Sequence, residues 1–599
     1  MARTGGIYPQ VEPGVTALMR GRVIGFPAEG RVADALRAAQ GAGAEVVVLG
    51  ARRAVRRREL ERGVRWGLGD LSASDLAWHD VPAVPATARE VVARRLLIEG
   101  APMLLVRRGR QVLGVIDADL VEIARPMTSL AHELDHVDAR DGEARLWLLR
   151  VAGKMGEGLG TPVFAVGGFV RDLLLGRVAP DVDLLVEGDG VAFARQLREE
   201  IGGEVVVHAA FGTASIEGAS GPAGARLGRI DITSARRERY EVPGALPVVS
   251  RATVEEDLRR RDFSVNALAL ALSPSSFGRL LDPLGGRRDL ARRRLRLLHP
   301  VSFVEDPTRI FRAARYAARL GFRLDIAGIR AIRLALRVAA YPALSGQRLR
   351  AEVELMVAEP QGWRGLASLL RWKALRLWDA DYEESRRGVG RIRAGARLRR
   401  WAKRSGIELD ASEVMVIALL VDQHPAVVSR CLERLAFRGE PARRLQEAAT
   451  ATALARRLDR ERLPGPSAIA DALGRCSIQA LAGAWLHGGR RARRRVEWYL
   501  RTGRHVRPML SGDDVVALGV PQGPAVGECL AALRRLRLDR IVKTRGHERL
   551  FVEAWLRKHG RRVARRPAPP ERRVRFGRMY ESATSAAHAT RKAERERRP

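Results

Sequence analysis

The chain has 599 residues with 106 Lys+Arg against 69 Asp+Glu, a formal net charge of +37, and at about 100–200 residues per domain it is too long for one core. Hydrophobic residues make up 46%, which excludes a chain disordered throughout. Three scattered cysteines without a CxxC exclude a disulfide framework and a cysteine zinc site, and no Gly-Lys-Ser/Thr supports a P-loop.

Six of the basic residues are lysines, which leaves 100 arginines. Such an excess points to a polyanionic partner, nucleic acid first, and equally fits GC-rich coding. The start, MARTGGIYPQVEPG, lacks an apolar signal core, and no apolar run reaches about 18 residues. A cytoplasmic, soluble chain with no membrane partner is expected.

In chain order, residues 14–127 read as two copies of an α/β unit. VADALRAAQGAGA and TAREVVARRLLIEGA are helical, and EVVVLG and PMLLVRRG are the strands that follow them. The first copy's next strand is arginine-rich (AVRRRELERGV), whereas the second continues into QVLGVIDADLVEIA. The pair resembles a CBS-domain pair, which implies an adenine nucleotide as a candidate ligand. Asp117 and Asp119 are placed to contact a ribose, or more simply to end a strand and cap the next helix. Residues 128–145 form a polar linker. Its HELDH (His132, Glu133, His136) matches HExxH, but the flanks supply neither a long amphipathic helix nor a third ligand. Residues 146–270 alternate helix and strand around a glycine turn, residues from about 290 to 560 are helical, and 559–599 read as a disordered basic tail.

TPVFAVGGFVRDLLLGRVAPDVDLLVEGDG carries the most chemistry. PVFAV is a buried strand, Gly167-Gly168 a tight turn, and Arg171 lies in the first turn of the helix that follows. Backbone N–H groups at such a turn and helix N-terminus suit a triphosphate. Asp181 and Asp183 enter the next strand at i and i+2, on one face, and two hard oxygen ligands there suit Mg2+. Asp231, the polar start of another apolar strand, is the best third catalytic carboxylate; Glu187 and Asp189 read as turn residues.

These motifs resemble the class II nucleotidyltransferases, CCA-adding enzymes and their poly(A) polymerase relatives. The match continues in order through HAAFGTA (His208 to Ala214), EEDLRRRDFSVNALAL with Arg261, Asp262 and Asn266, EDPTRIFRAARYAARLGF, and LSGDDVVALGVPQGPAVGECLAAL. It covers residues 146–555 and, behind a CBS pair, looks most like the bacterial subgroup with N-terminal extensions. Members often carry a DHH phosphoesterase domain in front, for which this sequence leaves no room. The resemblance implies an α/β CBS pair (14–127), an α+β polymerase-beta-like nucleotidyltransferase head (146–270), a nucleotide-selecting neck (271–345) and an all-α RNA-binding body and tail (346–558).

It also implies template-independent, Mg2+-dependent transfer of C, A or both from CTP and ATP to the tRNA 3′ end. The alternatives are poly(A) addition to RNA, or a silent RNA-binding or adenylate-sensing protein. Asp181 and Asp183 would hold the metal, and Gly167, Gly168, Arg171 and Arg261 the triphosphate, with Asp262 and Asn266 beside them. Asp306 of EDPTR reads as a helix N-cap with Pro307 at N1, and Arg309 follows on the same side. A carboxylate accepts from the exocyclic amine of cytosine and adenine, and guanidinium donates to their ring acceptors, so the pair rejects uracil and guanine. Arg312 and Arg315 continue toward nucleotide or phosphate, and Arg319 is left to solvent. Arg490 to Pro508, with Trp498 and Tyr499, fits RNA stacking or a core with an arginine face equally.

Overall fold

The computed structural model describes residues 14–118, 121, 128–129, 142–177, 181–208, 212–338, 341–460 and 463–563. The chain forms two compact units, one running to residue 450 without 405–407, the other comprising 405–407 and the residues from 451 onward. Asp119, HELDH, the middle of HAAFGTA and most of the C-terminal basic tail lie outside the described residues. No described helix is long and apolar enough to cross a membrane.

The first unit opens with two small sheets of one topology. β1 (Val23–Phe26) runs parallel to β2 (Val46–Leu49) across the helix Val32–Gly41, and β3 (Ala54–Arg56) returns antiparallel. β4 (Ala83–Pro85), the helix Glu90–Ile98, β5 (Met103–Arg108) and β6 (Gln111–Asp117) repeat that order. The arginine-rich segment is strand only as far as Arg56. The helix Arg57–Arg65 follows, burying Leu60 and Gly63 and pairing Arg57 with Glu61 one turn on. Asp117 is neither a ribose contact nor a helix cap: it is buried and accepts from Arg56 Nε at 2.7 Å and Nη2 at 2.8 Å, tying the second copy to the first.

Further along lie β7 (Thr128–Ser129), β8 (Val163–Val166), β9 (Val182–Val186), β10 (Glu204–His208), β11 (Thr213–Glu217), β12 (Ile230–Ser234), β13 (Arg236–Arg239), β14 (Val248–Arg251), β15 (Ala269–Ala271) and β16 (Arg279–Leu281). Eight of them form one sheet in the order β10-β11-β12-β9-β8-β15-β16-β7, and β13-β14 is a separate hairpin. The head therefore exceeds the expected 146–270 at both ends. β16 pairs back onto β15, and β7, within the expected linker, pairs with β16, which satisfies backbone groups the boundary would have left open. Every residue of β8 is buried, and Phe164, Val166, Leu185, Leu258 and Ala269 pack in one core. Each buried Val or Phe there contributes about 1.5–3 kcal/mol, which holds the central strands rigid under the glycine turn.

Helices then follow, among them Ser302–Glu305, Thr308–Leu320, Gly346–Ala358 and, last in this unit, Gly439–Ala449. The expected body and tail (346–558) is thus divided between the two units. In the second unit, Leu510, Val515, Cys529, Leu533, Val552 and Trp555 form a core. Glu548 is fully buried beside it, accepting from the Leu510 amide at 2.8 Å and from Arg537 at 3.1 Å. The last described helix, Arg545–Val563, runs past 558 into the expected tail. On the helix Arg490–Arg501, Tyr499 is buried in the core and Trp498 is half-buried.

Candidate active site

β8 delivers the chain into Gly167, whose φ of +64° is costly for any residue with a Cβ, and the helix Gly167–Leu174 begins at once. Both glycines face a crowded spot. A Cβ on Gly167 would stand 2.8 Å from Arg261 Nη1, and one on Gly168 3.5 Å from an Asp183 carboxylate oxygen and 3.6 Å from Arg171. Asp181 is exposed just before β9, and Asp183 lies within it. β12 runs parallel to β9 with Asp231 directly across from Asp183, so three aspartates occupy one edge of two adjacent strands. Glu187 and Asp189 serve elsewhere: Glu187 accepts the Val254 amide at 2.5 Å, and Asp189 caps the helix Gly190–Ile201 through the Val191 and Ala192 amides.

Burial, with Asp231 and Asp181 nearby, pushes the Asp183 carboxyl up to about 6, against the pull of Arg261 and a hydrogen bond from the Phe169 amide. Asp231 accepts from Ser215 Oγ at 2.7 Å and Arg229 Nε at 2.8 Å. Among the described residues no three Asp, Glu, His or Cys side chains converge tightly enough to enclose a metal alone. The donor set is a partial one. Hard carboxylate oxygens at Asp181 and Asp183, in mutual repulsion, fit a divalent cation that completes its shell with water and phosphate.

A buried network links the glycine-turn helix to the helix Thr308–Leu320. Arg171 forks onto Asp172 with two bonds of 2.8 Å and donates through Nη1 to Asn266 Oδ1 at 2.8 Å. Asn266 Nδ2 donates to Asp262 Oδ1 at 3.0 Å, and Asp262 Oδ2 accepts from Arg312 Nε at 2.7 Å. Despite its burial, Arg312 and Asn266 hold the Asp262 carboxyl below its ordinary value. Arg171 is thus committed to protein partners, while Arg261 leans from Asp257 (3.0 Å) toward the glycine turn.

The helix after EDP begins one residue later than expected, with Pro307 at its N-cap position. Asp306 still caps it from one step back, accepting from the Thr308 amide at 3.0 Å and hydroxyl at 2.7 Å, and from Arg348 Nη2 at 2.8 Å. Arg309 is buried, donating to Ser302 Oγ (2.7 Å), the Tyr240 hydroxyl (3.1 Å) and the Arg260 carbonyl (3.2 Å). Arg315 lies 3.4 Å from Glu352, with its guanidinium over the Tyr316 ring. Arg319, expected to face solvent, instead reaches Asp172 at 3.2 Å.

All ten residues expected to bind nucleotide line one cavity of about 730 Å³, together with Asp183 and Arg319; Asp181 and Asp231 stand outside its lining. The sequence reading missed Tyr240, Arg348, Tyr316 and Glu352. Tyr316 was within reach, four residues after Arg312 on the same helix face.

The poly A polymerase head domain matches residues 163–296. Over 324 residues the chain is 37% identical to the A-adding tRNA nucleotidyltransferase of Geobacter sulfurreducens, covering 51% of this chain and 36% of that protein. It is 34% identical over 419 residues to the CC-adding tRNA nucleotidyltransferase of Deinococcus radiodurans, covering 69% of this chain and 94% of that one. The chain spans only 23–53% of the length of three A-adding relatives. Among solved structures, a CCA-adding enzyme in an apo form superimposes with a TM-score of 0.64 at 27% identity, covering 73% of this chain and all of that one. The Thermotoga maritima CCA-adding enzyme complexed with tRNA gives 0.59 at 26% identity, covering 72% of this chain and all of that one.

Proposed function

We infer the function from one premise: this chain belongs to the tRNA nucleotidyltransferase and poly(A) polymerase family. It adds C, A or both from CTP and ATP to the 3′ end of tRNA, without a template, and releases pyrophosphate. The observation that carries this reading is the single cavity onto which the glycine turn, Asp183 and the EDPTR helix all open.

Asp181 and Asp183 would hold a divalent cation, magnesium in this reading, which supplies Lewis-acid polarisation of the α-phosphate and acidifies the attacking hydroxyl. The Gly167-Gly168 turn offers backbone N–H groups to the triphosphate, and Arg261 beside it adds positive charge. Arg171 acts as a positioning residue, fixing Asn266. Asp231, across from Asp183, favours loss of the proton from the RNA 3′-hydroxyl. Its oxygen then bonds to the α-phosphorus in line, and the bond to the β-phosphate breaks as pyrophosphate leaves.

Base choice falls to Asp306 and Arg309. Three of the roughly four acceptor sites on the Asp306 carboxylate are used, leaving one for an exocyclic amine. Arg309 engages Ser302, Tyr240 and Arg260, with about five N–H donors available. Arg312 and Arg315 extend this basic wall toward the nucleotide. The repeated strand–helix–strand–strand order supports a CBS-domain pair over residues 14–127, though the ion pair to Arg56 occupies Asp117. A cytoplasmic location suits such a substrate.

The test supplies tRNAs lacking CCA, ending in CC, or complete, with labelled CTP and ATP given separately. Incorporation confined to tRNA is expected, and the pattern separates full CCA from CC or A addition. A long A-tract on any RNA would favour the poly(A) polymerase, and no incorporation would favour the silent binder.

A further inference from the structure

A second cavity, of about 360 Å³, lies within the first unit where the helix Arg57–Arg65 faces the head. Its lining carries seven arginines against four glutamates. Two buried polar atoms on its wall have no hydrogen-bond partner: Glu59 Oε2, on a residue 1% exposed, and His299 Nδ1. Excess guanidinium charge in a half-enclosed space is stabilised by an anion. A buried carboxylate oxygen without a partner calls for a hydroxyl or amine donor. Inorganic pyrophosphate meets the first requirement alone, whereas a nucleoside monophosphate meets both, and the volume is at the lower end of the roughly 300–1,000 Å³ of ligand pockets.

The cavity is also wired to the catalytic one. Glu238, Tyr240 and Arg260 line both. From the catalytic side, Arg309 donates to the Tyr240 hydroxyl and the Arg260 carbonyl. From the N-terminal side, Arg62 donates to Glu305 at 2.9 Å, and Glu305 also faces His299 at 3.1 Å and Arg309 at 3.8 Å.

We propose that this cavity between the N-terminal α/β module and the head binds a nucleoside monophosphate, and that its occupancy shifts Arg309 and so changes the preference between ATP and CTP. The binding half stands on the cavity alone; the coupling half rests on the reading of Arg309 as base-selecting. The full chain is dialysed against labelled AMP without metal or RNA. One equivalent should bind, weakened roughly tenfold or more by Arg237→Glu, on the cavity wall, or by Glu59→Gln, which replaces the acceptor oxygen. Arg261→Glu, which reverses charge at the catalytic cavity, should leave AMP binding unchanged. No binding at millimolar AMP, loss with Arg261→Glu but not with Arg237→Glu and Glu59→Gln (both checked as folded by circular dichroism), or pyrophosphate binding as tightly as AMP would each overturn the site.

For the coupling, saturating AMP should change the ATP to CTP ratio of kcat/KM at least about twofold. Arg62→Ala should abolish that change while AMP still binds. An unchanged ratio in the AMP-bound wild type overturns the coupling. If neither nucleotide is incorporated, the tRNA reading fails and the dialysis still decides the site.

Discussion

Asn266→Ala tests the internal network most sharply. The side chain is buried and makes two bonds to charged groups, accepting from Arg171 at 2.8 Å and donating to Asp262 at 3.0 Å. After truncation Arg171 keeps its fork onto Asp172, and Asp262 keeps Arg312 and the Phe263 amide. Neither charge is orphaned, so the lower part of the range for charged hydrogen bonds applies, about 1–1.5 kcal/mol each and about 2–3 kcal/mol in all. Looser alignment of the glycine-turn helix with the EDPTR helix should cost a further factor of roughly 10–100 in kcat/KM. Urea unfolding followed by circular dichroism measures the first effect, and steady-state incorporation of labelled nucleotide into tRNA measures the second. A variant with the wild-type midpoint and kcat/KM within about twofold would refute the role assigned to this network.

Gly167→Ala should lower Tm and cut kcat/KM about tenfold or more, because its Cβ adds a clash with Arg261 to the roughly 1–2 kcal/mol of left-handed strain. Gly176→Ala, at φ +63° with open space around it, should lower Tm through strain alone and leave the kinetics unchanged. Arg348→Ala releases one oxygen of Asp306 and should raise UTP misincorporation relative to CTP roughly tenfold, with little change in stability. The buried Glu305 carboxyl is held at about 2, against an ordinary 4.5, by His299, Arg62 and Arg309, which outweigh its burial. Its ionisation therefore stabilises the fold fully above pH 4.5, by on the order of 3 kcal/mol, and that contribution is lost as pH falls toward 2. The gap in unfolding free energy between wild type and Glu305→Gln should close over that window; a constant gap would contradict the assignment.

The parts of the site visible in the sequence are those fixed by local geometry. A buried strand that must turn through Gly167 and two aspartates at i and i+2 announce themselves in one stretch, because period and turn chemistry act over a few residues. Asp231 was inferable only as a polar residue opening an apolar strand, and its register with Asp183 emerges from the parallel pairing of β12 with β9. What stayed hidden was set by packing at long sequence separation. Arg309 reads as an exposed partner of Asp306 on a helical wheel, yet the fold buries it against Tyr240, 69 positions away. Arg348 lies in a segment with no motif and meets Asp306 only because the helix Gly346–Ala358 packs beside it. Likewise the arginine-rich segment after Ala54 offered no alternation, and its helix became legible once Leu60 and Gly63 had a core to face.

The central claim is that Asp183 and its neighbours carry nucleotide transfer to tRNA. Single-turnover incorporation of labelled CTP and ATP into tRNA lacking CCA, by wild type and Asp183→Ala with tRNA binding measured in parallel, tests it most directly. The wild type should extend the tRNA, and the variant should lose at least about a thousandfold in rate while binding tRNA and folding as before. Extension by Asp183→Ala at the wild-type rate would contradict the account.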